Sequence, residues 1–167
     1  MAIQIYDQTV PVFLRMMSNL DGLLAKAEAD AEARNIDPQV FLQDRLAPDM
    51  LPFTRQVQIA TDQVKGGLSR LAGLEAPKWP DEEKTFAELH ARIDKATQYA
   101  EAFEPSQFDG AETRSIELKF PNATLTFNGK EYLLNFVLPN LYFHITTAYL
   151  ILRHNGVQIG KRDFIGG

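Results

Sequence analysis

Apolar residues return every three or four positions through most of this chain, and at every second position in one short stretch near residue 120. The first spacing marks helices with one buried face, the second marks strands. Val10, Phe13, Met17, Leu20, Leu24 and Ala27 form a single stripe and predict a first helix over residues 8–33. Asp7 stands where an N-cap is expected, and Pro11 falls in the first turn, where proline is tolerated. Ile36, Asp37 and Pro38 break the pattern, and Pro38 restarts a short helical piece over 39–46. After a second break at 47–53, Met50, Phe53, Val57, Ala60, Val64, Leu68 and Leu71 predict a second helix ending near Gly73. Phe86, Leu89, Ile93, Ala96, Ala100 and Phe103 predict a third, stopped by Pro105. Its mixed acidic and basic outer face reads as solvated.

Between residues 111 and 129 the period changes. Ile116, Leu118 and Phe120 alternate with polar residues, as do Leu125 and Phe127, and Pro121-Asn122 stands between the two runs. This predicts a β-hairpin. A fourth helix is expected over 130–153, kinked by Pro139 or left with a free carbonyl, and ended by Gly156. The tail, 157–167, reads as extended, folding back with Phe164 and Ile165 packed. The fold expected is mostly α: one domain over 1–167, an up-and-down four-helix bundle with a short β-hairpin between helices three and four.

The fourth helix is apolar nearly all round, which means burial on more than one face. The hairpin, the tail or a second subunit must cover what the bundle does not, and a homodimer through this helix and its neighbours is the expectation. Its apolar run is about 20 residues, enough to cross a bilayer. Asn135, Pro139, Asn140, His144, Thr146 and Thr147 interrupt it, so a buried core helix is expected and no membrane association.

Composition narrows the chemistry. The chain has 167 residues, 45% of them hydrophobic and 23% charged, with a net charge of −5. The basic residues are scattered, which argues against a nucleic-acid partner. No cysteine is present, so disulfides, thiolate nucleophiles and thiolate metal sites are excluded. The first ten residues carry no basic, apolar leader, and a cytoplasmic location is expected. The Lys65–Arg70 segment contains two glycines but lacks the spacing and the Lys-Ser/Thr end of a phosphate loop.

Candidate chemistry centres on His144, near the middle of the most apolar segment. Asn140 and Thr147 lie close to the same stripe. Such a polar strip in an apolar helix needs hydrogen-bond partners, and Asp49, Gln56 and Asp62 are candidates on the facing helices. A small polar pocket of Asp49, Gln56, Asn140, His144 and Thr147 follows, able to take a small-molecule ligand. Asp49, between two prolines at a helix start, serves equally as an N-cap, and His144 equally as a satisfied core residue. If Asp49 held the imidazole protonated, its pKa would be raised. His90 reads as a helix-face residue near Asp94, and His154 as a cation favoured by the helix dipole. His144 and His154 are ten residues apart on one helix, about 15 Å by rise alone, so they cannot share a metal.

Two segments carry a resemblance: 45–67, RLAPDMLPFTRQVQIATDQVKGG, and 139–167, PNLYFHITTAYLILRHNGVQIGKRDFIGG. They resemble a bacterial subgroup, a domain of unknown function, within the DinB/YfiT-like superfamily of putative metalloenzymes. The resemblance implies a four-helix bundle, often dimeric. It also implies a divalent metal, nickel or zinc, on three histidines: one from the second helix and two as H-x-x-x-H on the last. Some relatives carry out thiol-dependent transfer. His144 matches the first histidine of that pair, but position 148 is alanine, and Asp49 falls at or near the second-helix ligand position. A metal would thus have His144 and Asp49 alone, a poor set for zinc or nickel. Three readings follow: a helical bundle with a polar Asp49/His144 pocket and no cofactor, a metal-dependent transferase or hydrolase, and a dimeric partner-binding or stress-response module.

Overall fold

The computed structural model describes residues 4–167. Helix α1 (Ile5–Ala33) begins earlier than its apolar stripe predicts. The backbone N–H of Gln4 donates to the Asp7 carboxylate at 3.3 Å, so Asp7 closes the first turn from within rather than capping it. Pro11 accordingly lies inside the helix, not in its first turn. Helix α2 (Pro38–Gln43) is capped by Asp37, which accepts from Gln39 N at 2.9 Å, and it stops short of the expected residue 46.

Helix α3 (Phe53–Leu71) starts only after Pro52, which takes the N-cap position. Asp49 therefore sits in the preceding turn, exposed, and not at a helix start. Helix α4 (Phe86–Glu101) opens on a capping box: Glu88 N donates to Thr85 Oγ1 and Thr85 N to Glu88 Oε2. The hairpin forms as expected. Strands β1 (Ser115–Phe120) and β2 (Ala123–Asn128) pair antiparallel, Ile116 opposite Phe127 and Leu118 opposite Leu125.

The expected fourth helix is one continuous rod with an irregular centre. A short α5 (Gly129–Tyr132) passes through a π-helical stretch, Leu133–Val137, into α6 (Leu138–His154). The π turn lies directly before Pro139. Proline has no N–H for the preceding turn and crowds its carbonyls, and the wider turn relieves both. Gly129 is required where it is, because a Cβ there would run into the carbonyl of Ala111. The tail is not extended: it contains a helical turn, α7 (Lys161–Ile165), laid against α1. Phe164 packs edge-on to Tyr149, whereas Ile165 stays exposed.

Helix α3 packs on both α6 and α4, and α4 on α1, around one continuous apolar core. Helices α3 and α6 run antiparallel: His144 meets Gln56 near the start of α3, and Gly67 near its end lies under Val137. The core face of α6 is Leu141, Ile145, Ala148, Ile151 and Leu152, while Leu134, Tyr142, Phe143 and Leu150 face outward and are exposed. The rod is buried against the bundle, and the hairpin and tail cover part of the rest, Phe127 against Phe136 and Phe164 against Tyr149. Among the described residues no helix is long and apolar enough to cross a membrane.

Candidate functional site

His144 stands on α6, one turn after the π stretch and Pro139, half-buried against the first turn of α3. Its Nδ1 lies 2.7 Å from Gln56 Oε1. The Gln56 amide is oriented from its other end, where Nε2 donates to the Leu51 carbonyl at 2.8 Å. A carbonyl only accepts, so the atom facing it must be the amide nitrogen, and the atom facing His144 must be the oxygen. That oxygen also only accepts. Nδ1 is therefore the protonated ring nitrogen, and Nε2 carries the free lone pair of the neutral imidazole. Nε2 has no hydrogen bond or ion pair with the described residues. No buried side-chain nitrogen or oxygen among them lacks a partner, so Nε2 opens to solvent.

Burial, and then the positive charge of Arg55, push the His144 pKa below its ordinary value. The expected Asp49–His144 pair with a raised pKa does not form. The partner is a neutral amide, and a cation rather than a carboxylate sets the local field. The ring of Phe143 stands edge-on to the imidazole at 5.2 Å between centroids. Phe143 itself is exposed and gives the imidazole an apolar neighbour.

The remaining expected site residues go elsewhere. Asn140 donates its side-chain amide to Phe136 O at 2.6 Å, and Thr147 its hydroxyl to Phe143 O at 2.8 Å. Each is satisfied within its own helix, with no need of a ligand. Asp62 binds Lys65 and Arg92 instead of His144. His90 pairs with Asp21 of α1, with Glu28 at 3.8 Å, rather than with Asp94 on its own helix.

The donor set does not fit the three-histidine centre that the resemblance implies. Ala148 is fully buried at the second histidine position, and Asp49 makes no contact with His144. Among the described residues no group of three or more His, Cys, Asp or Glu is placed to hold a metal. One imidazole and a distant carboxylate cannot replace three imidazoles.

A second polar centre escaped the sequence reading. Arg92 of α4, read as part of a solvated face, is only 4% exposed. Its Nε donates to Thr61 Oγ1 at 2.8 Å, Nη1 to Pro80 O at 2.9 Å and Glu83 at 3.0 Å, and Nη2 to Asp62 at 3.1 Å, while Asp81 forms an ion pair with Nη2 at 2.9 Å. All three guanidinium nitrogens are engaged. Burial pushes the Asp81 carboxyl up, but Arg55 and Arg92 outweigh it and hold its pKa below the usual carboxylate value. Gln58 joins by donating to Glu83 at 2.7 Å. The network pins the 72–85 loop onto α3 and presents Trp79, whose ring is flanked by Lys65 and Lys95, each ammonium 4.8 Å from its centroid. Thr54, Gln58, Thr61, Lys65 and Ser69 recur at helical spacing and are all buried here. Only the clustering of Asp81, Glu82 and Glu83 near a loop Trp hinted at it.

A helical bundle with an imidazole between the start of α3 and the middle of α6, and a β-hairpin leading from α4 into the last rod, has the architecture of a DinB-like bundle. The model of a domain of unknown function, DUF1993, matches residues 5–165, and the chain belongs to that family. It is also similar to the crystal structure of a DinB family member protein from Shewanella denitrificans. The two are 46% identical with a TM-score of 0.89, over 98% of this chain and 92% of that one. No curated protein matches this chain.

Proposed function

We propose that this DinB-like bundle binds a small molecule through the single oriented imidazole of His144, and does not operate a three-histidine metal centre. The observation that carries this reading is the Leu51–Gln56–His144 chain of hydrogen bonds. It fixes one tautomer and leaves Nε2 as an accessible acceptor beside the exposed Phe143 ring. Fixing a ring through its other nitrogen is how proteins aim an imidazole at a ligand. The charge of Arg55 disfavours a cationic ligand, so the fitting partner is a neutral O–H or S–H donor with an apolar body. Elemental analysis of the native protein and of His144→Ala tests the reading. We expect no metal at one per chain in either protein. One divalent ion per chain, lost in His144→Ala, overturns it in favour of metal-dependent transfer or hydrolysis.

We also propose that the outer face of α6 pairs with a second copy of itself. Residues 132–152 contain no Asp, Glu, Lys or Arg, yet Phe143 is 54% exposed and Leu134, Tyr142 and Leu150 share the surface. A two-fold contact sets each side chain against its own kind, so an uncharged face is covered without burying like charges. Light scattering should give a dimer mass for the wild type and a monomer mass for Leu150→Glu. A monomeric wild type ends this reading.

A further inference from the structure

A second concave surface lies at the opposite end of α3 from His144. It is a cleft of about 480 Å³ between α3, the α3–α4 loop and strand β1, well within the ~300–1,000 Å³ range of small-molecule sites. Gln56 and Lys65 are nine residues apart, so the two places are separated by about 14 Å along α3. The walls are the rings of Trp79, Phe136 and Phe120, the last 48% exposed on the hairpin.

We propose that this cleft binds a small organic anion, a carboxylate or phosphate monoester on an apolar body. Its lining cations are Lys65, Arg70, Lys78 and Lys119, on a chain whose overall charge is −5. Of the lining carboxylates, Asp62 is taken up by Lys65 and Arg92, and Glu117 shares the exposed side of β1 with Lys119, which leaves the four cations facing two carboxylates. Arg70, Lys78 and Lys119 have no carboxylate partner. Arg70 is nonetheless held in place: its Nη1 donates to the hydroxyl of buried Tyr132 at 3.1 Å. Burial raises the Tyr132 pKa, so the phenol stays neutral and leaves the guanidinium charge uncompensated.

The glycine pair of α3 gives an independent reason. Consecutive glycines inside a helix weaken it, and each must have a use. Gly67 lets α6 approach, since a Cβ there would meet Val137 Cγ1 at 2.8 Å. Gly66 makes room for something else: a Cβ there would collide with the guanidinium of Arg70. The missing side chain leaves the space that the Arg70 guanidinium fills at the cleft. Trp79 is fixed from behind by the Arg92 network and by Tyr99, whose ring meets it edge-on at 5.9 Å. An aromatic wall and a guanidinium without a carboxylate partner, lining one cleft, suit an anion with an apolar body.

Trp79 is the only tryptophan in the chain, so its fluorescence reports on the cleft. The full-length protein would be titrated with phenyl phosphate, benzoate, inorganic phosphate and benzyl alcohol. We expect a saturable change with phenyl phosphate or benzoate, whichever anion the cleft prefers, weaker binding of inorganic phosphate and none of the neutral alcohol. Arg70→Gln should weaken the preferred anion about tenfold or more, the effect of losing a charged hydrogen-bond donor. Gly66→Ala should weaken it by displacing Arg70 without removing its charge. Lys78→Gln/Lys119→Gln, both at exposed positions, should weaken it severalfold in a protein whose folding is undisturbed. His144→Ala should leave the affinity unchanged, which separates this cleft from the His144 site. No saturable change with either anion, equal binding of benzyl alcohol, or unaltered affinity in both the Arg70 and the Lys78/Lys119 variants overturns the proposal.

Discussion

Arg92 and His144 are both nitrogen-rich side chains packed against α3, and they are treated in opposite ways. Arg92 has every nitrogen bound to protein and is almost fully buried; His144 has one nitrogen bound, by a neutral amide, and the other open. A polar group with all its hydrogen bonds made holds the structure together. A group oriented on one side and open on the other is free to meet a ligand. The first arrangement fixes the α3–α4 loop, and the second is where small-molecule chemistry would occur.

The comparison can be broken most severely at Arg92. Arg92→Leu would leave Glu83 without a cation and Asp62 and Asp81 with Lys65 and Arg55 alone, at a cost of about 3 kcal/mol, the low end for breaking a buried pair because the carboxylates are partly exposed. Chemical denaturation would measure it, and a loss below about 1 kcal/mol would mean that the carboxylates find other partners. Next comes Gln56→Leu, which leaves Leu51 O and His144 Nδ1 unbonded. That should cost about 1–3 kcal/mol, toward the lower end because the ring is half-buried. Nitrogen NMR of the imidazole should then show mixed tautomers in place of one.

The smallest effect is a slope. Because the folded pKa of His144 is lowered, the unfolded chain binds the proton more readily than the native one. Stability from this residue is present above the ordinary histidine pKa, about 6.5. It falls as pH drops from there toward the lower folded value. His144→Gln should flatten that part of the stability–pH curve relative to wild type. An unchanged curve would remove the burial and Arg55 effects from the account.

The long elements were legible because each carries an uninterrupted apolar stripe, and the hairpin because alternation on both sides of Pro121-Asn122 allows few alternatives. His144 and Gln56 were legible as polar residues on facing apolar helices. Asp49 was misplaced because two flanking prolines suggest a helix start at either, and only packing selects Pro52. The Arg92 network was illegible for a different reason. A polar stripe at helical spacing, such as Thr54, Gln58, Thr61, Lys65 and Ser69, has the pattern of a solvated face whether water or a loop covers it. The covering loop has no periodicity of its own, so nothing in the order of residues announces that it folds down. Asn140 and Thr147 illustrate the converse: short polar side chains on a helix can satisfy themselves on the preceding turn, and their presence on a stripe does not make a pocket.

The π stretch at Leu133–Val137 has a bearing on how this chain tolerates changes of length. A π turn holds one more residue than the α turn it replaces. Elsewhere in the rod, losing a residue would rotate everything beyond it by about 100° and turn His144 away from Gln56. Within 133–137 the same deletion would let the turn close as ordinary α-helix, with α5 and α6 keeping the faces they already present. The chain can therefore lose a residue at this one place while the imidazole stays aimed where it is.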